Sequence, residues 1–189
     1  MASAPFDVSK AVTFDLSRGQ IQKDDQSRVL VPASALVALC QGAGSDATAA
    51  FATAIGESMG LAIAARFEGA GSDVKNAPLD AIVEHLAGEL AVTGFGTLSI
   101  ERWGQALVVV VDGGLSSVEG DRLLAPLLAA AVARSAHVEA RCVALGRDGA
   151  RARFLVTGQR GADKAREWLG SGVGWGEVLV RLHAPAGNA

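Results

Sequence analysis

Along the chain, Val12, Phe14 and Leu16 alternate with polar neighbours, the period-two signature of a strand. Ser17, Arg18, Gly19 and Gln20 supply turn residues, and residues 28–31 read as the returning strand. Pro32 suits the first turn of a helix that runs to about Cys40 and stops at Gly42 and Gly44. Asp46 is placed to cap a long helix over residues 47–67. A third helix fits residues 78–91, where Leu79, Ile82, Val83, Leu86 and Leu90 fall on one face of a 3.6-residue period.

A hairpin follows, with strands 96–103 and 106–111 turning at Gly104 and Gln105. Leu107 and the four valines after it do not alternate, so this strand is expected to be buried on both faces, by helices or by a second subunit. A helix is expected over residues 120–135. Strands 138–145 and 150–157 then form a second hairpin turning at residues 146–149. On it Val138, Ala140 and Cys142 share one face, as do Ala152, Phe154 and Val156, while Arg141, Arg151 and Arg153 point away. Helical pieces at 162–169 and 175–182 close the chain. The order ββαααββαββαα, built on hairpins rather than parallel crossovers, predicts an α+β fold with a mostly antiparallel sheet of two hairpins packed with helices.

Composition sharpens this picture. Of 189 residues, 36 are Ala and 23 Gly, while aromatics make up 5%. Such a core relies on close backbone approach. The longest nearly apolar run, residues 123–133, contains Pro126 and falls short of the roughly 18 residues a membrane span needs, so no span is expected. The first residues show neither a basic nor an apolar signal region, and two cysteines make no disulfide framework. A reduced, cytoplasmic setting is the expectation.

The net charge of −3 conceals an asymmetry: residues 45–121 hold 11 acidic and 3 basic side chains, residues 134–166 hold 8 basic and 3 acidic. With Phe154 the one aromatic among them, the basic residues suit an acidic protein surface, or the acidic half of a second copy, better than nucleic acid.

The chemistry is sparse. Gly56-Glu57-Ser58-Met59-Gly60 matches the G-x-S-x-G nucleophile elbow in letters, but it falls inside an expected helix with no strand before it. Gly56 and Gly60, extended by Ala52 and Ala64 at the same spacing, read instead as a smooth stripe for close packing, either within the chain or at a dimer surface. Gly42-Ala43-Gly44-Ser45-Asp46 recurs as Gly69-Ala70-Gly71-Ser72-Asp73, which reads as helix stop followed by helix cap. Cys40 and Cys142 lack the spacing of a zinc site, and His85, His137 and His183 stand in no catalytic setting. No catalytic residue, metal ligand or cofactor is therefore nominated.

Two segments resemble the 4-vinyl-reductase-like domain, the bacterial and archaeal relative of the TRAPP core subunits. One is Arg28-Val29-Leu30-Val31-Pro32 with the long helix through Ile55, Gly56 and Gly60 to Ala64-Ala65-Arg66-Phe67. The other combines residues 96–103, 107–111 and 142–146 with Arg153-Phe154. The resemblance covers about residues 12–157, leaving residues 1–11 as a tail and 158–189 as a C-terminal helical extension. It implies a domain that is usually dimeric, with an apolar cavity between helices and sheet, whose members bind small hydrophobic molecules, assist tetrapyrrole biosynthesis or scaffold proteins. The TRAPP relatives engage a small GTPase. The second cysteine that members place two residues before the aromatic of the last strand is here Ala152, and the acylated cysteine of TRAPP is replaced by the Gly69–Gly71 turn.

The expectation is thus a non-enzymatic homodimeric binding module, a sensor of a small hydrophobic ligand or an interaction scaffold. The alternative is an enzyme or accessory factor in tetrapyrrole or aromatic metabolism. The inward sheet positions Leu98, Ile100, Val108, Val110, Cys142 and Phe154 are the expected pocket. Arg141, Arg151, Arg153, Trp168 and Trp175 are the expected partner surface.

Overall fold

The computed structural model describes residues 6–7, 11–24, 26–69, 71, 74, 77–104, 106–115 and 117–183. Strands β1 (Thr13–Asp15), β2 (Gln20–Lys23) and β3 (Gln26–Arg28) form an antiparallel meander. Helices α1 (Ala33–Ala43), α2 (Ser45–Gly69) and α3 (Leu79–Val92) follow, then the hairpin β4 (Thr97–Trp103) and β5 (Ala106–Asp112). Helix α4 (Val118–Ala136) leads to β6 (Arg141–Asp148) and β7 (Arg151–Thr157), and α5 (Gln159–Gly170) and α6 (Trp175–His183) end the described chain. The second sheet is antiparallel throughout, in the order β4-β5-β7-β6. The chain is α+β, as the hairpin pattern predicts.

The N-terminal region departs from the expected pair of strands. Residues 29–31 are not a strand but an exposed connection, and Gln20-Ile21-Gln22-Lys23 forms the middle strand instead. Ile21 is the lone apolar residue of that strand, too little to register as alternation. The second hairpin also shifts. Its turn lies at Gly149 and Ala150, so Gly146 sits within β6, where the register against β7 slips between Ala144 and Gly146. Val138, expected to share a buried face with Cys142, precedes the strand and is exposed.

Both sheet faces are covered by helices. On one face Val109, Val111, Ala152 and Phe154 pack beneath α2, α3 and α4. On the other, Val108, Val110, Val143 and Leu155 meet Ala162, Ala165, Val178 and Leu179 of α5 and α6. This is why the valine run of β5 lacks alternation. Ser117 caps α4 by accepting a hydrogen bond from the Gly120 N–H at 2.9 Å, with Glu119 and Asp121 in the first turn, where the helix dipole favours negative charge.

Among the described residues α2 is long and apolar enough, by length and composition, to cross a membrane. The run-length argument passes over it because polar residues such as Glu57 interrupt it. Eight of its residues are nevertheless buried within the fold. They include Gly56 and Gly60, which face α4 so closely that a Cβ on Gly56 would stand 2.2 Å from the Leu127 carbonyl oxygen, and one on Gly60 2.6 Å from the Arg134 Cβ. The smooth stripe is consumed inside the chain, against α4, rather than offered to a second copy. Ser58 lies in the middle of the same helix, with no strand-to-helix turn to strain it.

Candidate functional site

The sheet register decides which of the expected pocket residues meet. In antiparallel strands, directly opposed residues share a face. Ile100 opposes Val109, which opposes Phe154, while Leu98 opposes Val111, which opposes Ala152. Leu98, Ile100, Cys142 and Phe154 therefore lie together in the apolar layer under α2–α4. Val108 and Val110 do not join them; they point into the opposite layer, beneath α5 and α6. Their places are taken by Val109 and Val111, one residue out of phase. A run of like residues carries no parity, so only the register against β4 and β7 sets it.

The layer under the helices holds few polar groups. His85 of α3 is buried, with its ring edge-on to Phe67 at 5.0 Å and to Phe6 at 6.0 Å between centroids. Phe6 fits against Gly88, and the Arg66 guanidinium lies over its ring at 4.9 Å. Beside them Glu89 is fully buried: Lys23 Nζ approaches its Oε2 to 2.7 Å and Arg66 Nη1 its Oε1 to 2.5 Å. Arg66 Nη2 is also 3.1 Å from Asp24 Oδ1, and Lys23 pairs with Asp24 as well. This network pins the β2–β3 hairpin to α2 and α3. Burial alone pushes the Asp24 carboxyl up, but the hydrogen bond and charge of Lys23, with the charge of Arg66, outweigh it and hold Asp24 below the usual carboxylate range. None of these charged residues was expected as a site from the sequence. A signal existed for Glu89 alone, a carboxylate three residues after Leu86 on the apolar stripe of α3.

The expected partner residues are partly turned inward. Trp175 of α6 meets Trp103 edge-on at 5.3 Å, and Arg153 lies 5.3 Å over the Trp175 ring while pairing with Glu101 at 3.3 Å. Hydrogen bonds from Trp103 and Arg153 hold the Glu101 carboxyl below its ordinary value. Trp168 packs on the α5–α6 core with Arg181 over its ring. Arg151 pairs with Asp112, and Arg141 donates to the Gln159 side chain at 2.7 Å.

A groove of about 1070 Å³ runs along β6, the sheet edge, between α4 and the end of α5. Ala125, Pro126, Ala129 and Ala133 form its α4 wall, Leu169 and Arg166 its α5 wall, and Val143 to Gly146 its floor. Pro126 has no N–H to donate, so the Arg122 carbonyl lacks its helical partner on this wall. Arg147 is bound across to Asp121 in a two-pronged pair of 3.0 and 2.6 Å, which raises the guanidinium pKa. Cys142 reaches both this groove and the inner layer, and desolvation pushes its thiol up to about 12. Among the described residues no three His, Cys, Asp or Glu side chains gather as a metal site would require.

The architecture is an antiparallel sheet with three helices on one face and two on the other. The chain is similar to the crystal structure of the phenol-responsive sensory domain of the transcription activator PoxR with phenol, with TM-score 0.60, 13% identity and 94% of each chain covered. No family model and no curated protein sequence matches the chain.

Proposed function

We propose that this chain is a non-enzymatic sensing module that takes up a small apolar ring compound in the layer between α2–α4 and the sheet. The observation that carries this reading is the fold, shared over 94% of both chains with a domain that responds to phenol. The resemblance of residues 12–157 to the 4-vinyl-reductase-like family supports it. So does the layer itself, where Leu98, Ile100, Phe154 and Val109 supply the apolar surface that such sites present. Leu98 and Ile100 are half-buried on edge strand β4.

The test is calorimetric titration with phenol, catechol, benzene and toluene, alongside native mass spectrometry of the purified chain. Saturable binding that is lost in Phe154→Trp but kept in Val108→Ile, on the other sheet face, supports the reading. No heat from any of the four, with nothing released on denaturation, overturns it.

The reading includes a homodimer, as in the family the sequence resembles. Its surface is the N-terminal segment, where Val29, Leu30 and Leu39 are 85%, 78% and 68% exposed, a run longer than the scattered apolar residues of an ordinary surface. Leu30→Asp with Leu39→Asp should give a monomer by light scattering. An unchanged mass removes this surface from consideration.

A further inference from the structure

We propose that the groove along β6 is a docking trough for an extended, acidic segment of a partner protein, which adds as a strand to the sheet edge. This is independent of the ligand reading, since the trough lies outside the inner layer. The first observation is topological. β6 ends the sheet order, so among the described residues one side of its backbone has no strand partner, and edge strands left this way are templates for another chain. Its eight residues offer an edge of roughly 26 Å.

The second observation is shape. The walls carry alanines and Pro126, so a backbone can approach closely, and the groove is bounded on both sides by helices that confine the added strand. The third is charge. Arg122, Arg134, Arg141, Arg147 and Arg166 line the trough against only Glu57 and Asp121, and Asp121 is already held by Arg147. Among the described residues Arg122 and Arg134 have no ion-pair partner, and both are exposed on the α4 wall. An occupant must therefore bring carboxylates to the rim and small or branched apolar side chains to the floor.

Two other occupants fit less well. Nucleic acid would need aromatic platforms for its bases, and the trough lining contains none. A second copy docked edge to edge would set the same arginines against each other, which is repulsive.

The experiment is fluorescence anisotropy of the full chain with a labelled peptide alternating Glu and Val, at low and high salt. The controls are a Lys-Val peptide, a Glu-Val peptide N-methylated at every residue so that neither edge can donate, and a single-stranded oligodeoxynucleotide. The Glu-Val peptide is expected to bind with strong salt dependence, and the Lys-Val and N-methylated peptides are not. Arg122→Glu with Arg134→Glu, its fold checked by circular dichroism, should weaken binding about tenfold or more.

Failure of the Glu-Val peptide to bind, or equal binding to the charge-reversed protein, overturns the proposal. So does retained binding of the N-methylated peptide, which cannot form the ladder. Preference for the oligonucleotide would assign the patch to nucleic acid, and a change in self-association on charge reversal would assign it to a second copy. Either result also overturns the proposal.

Discussion

Adding a single methyl group at Gly56 tests how the helical layer is built. Alanine is the better helix former by up to about 1 kcal/mol, so a glycine in the middle of a 25-residue helix that is free of contacts should gain stability on substitution. At Gly56 the new Cβ would stand 2.2 Å from the Leu127 carbonyl oxygen and 2.9 Å from the Ala130 Cβ, where ordinary contact begins near 3.4 Å. Both obstacles belong to α4 and one is backbone, so no side-chain rotation relieves them. The helices must part by roughly 1 Å, which forfeits a quarter to a half of the dispersion energy along the seam. Overpacking costs about 1–3 kcal/mol, and an overlap this deep against backbone falls at about 2–3, leaving a net loss of about 1–2 kcal/mol after a propensity gain of about 1. For a chain of this size that lowers Tm by roughly 2–8 °C.

Gly42 near the end of α1 has nothing within 4 Å of its ideal Cβ and is the control, where Ala should be neutral or gain up to about 1 kcal/mol. Urea titrations followed by circular dichroism give the three midpoints at unchanged m-value. If Gly56→Ala is as stable as the parent, or if it dissociates an assembly without lowering stability, the intramolecular packing argument is wrong.

Three further outcomes follow from the buried groups. Glu89→Gln removes the buried carboxylate shared by Lys23 and Arg66, leaving both to Asp24, and should cost about 3–5 kcal/mol in a denaturant titration, whereas Lys23→Met with Glu89→Leu should recover most of the loss; equal stability of all forms would show the network to be idle. Because the folded Asp24 carboxyl is held below its unfolded value, its contribution is fully present above about pH 4 and is lost as pH falls through the folded value; acid titration of Lys23→Met should show a shallower loss over that window, and an unchanged slope would remove Asp24 from the account. With its thiol raised to about 12, Cys142 should react with a disulfide reagent at neutral pH only after unfolding, while half-buried Cys40 reacts in the native state; rapid modification of two thiols in the folded protein would contradict the burial of Cys142.

Most of the fold was legible because local signals and tertiary contacts agree. The face of α3, the Gly104 turn and the unalternating β5 each name their element from a handful of neighbouring residues, and the structure places those elements within a few residues of expectation. Where local signal is weak, the reading slips. Gln20-Ile21-Gln22-Lys23 is a strand because Phe14 and Arg28 flank Ile21 in the meander, a pairing that no window of four residues contains. Gly146 looks like turn chemistry, yet it serves as the irregularity that bends β6.

The candidate sites divide along the same line. Leu98, Ile100, Cys142 and Phe154 could be grouped from the sequence because β4, β6 and β7 carry enough alternation to fix a face. Val108 and Val110 could not, since four consecutive valines satisfy either phase and only the Ile100–Val109–Phe154 row decides between them. The Gly56–Gly60 stripe announced a close approach without naming the partner, because α4 presents an equally small-sided face through Ala130 and Ala131. Charge behaves differently again. The basic segment near β6 was visible as composition, but its significance depends on which arginines are already spoken for, and that is a property of contacts such as Arg147–Asp121. The same holds for Glu89, whose counter-charges come from residues 23 and 66 positions along the chain. Periodicity reports which way a residue faces; what a charged residue does there is settled by partners remote in sequence.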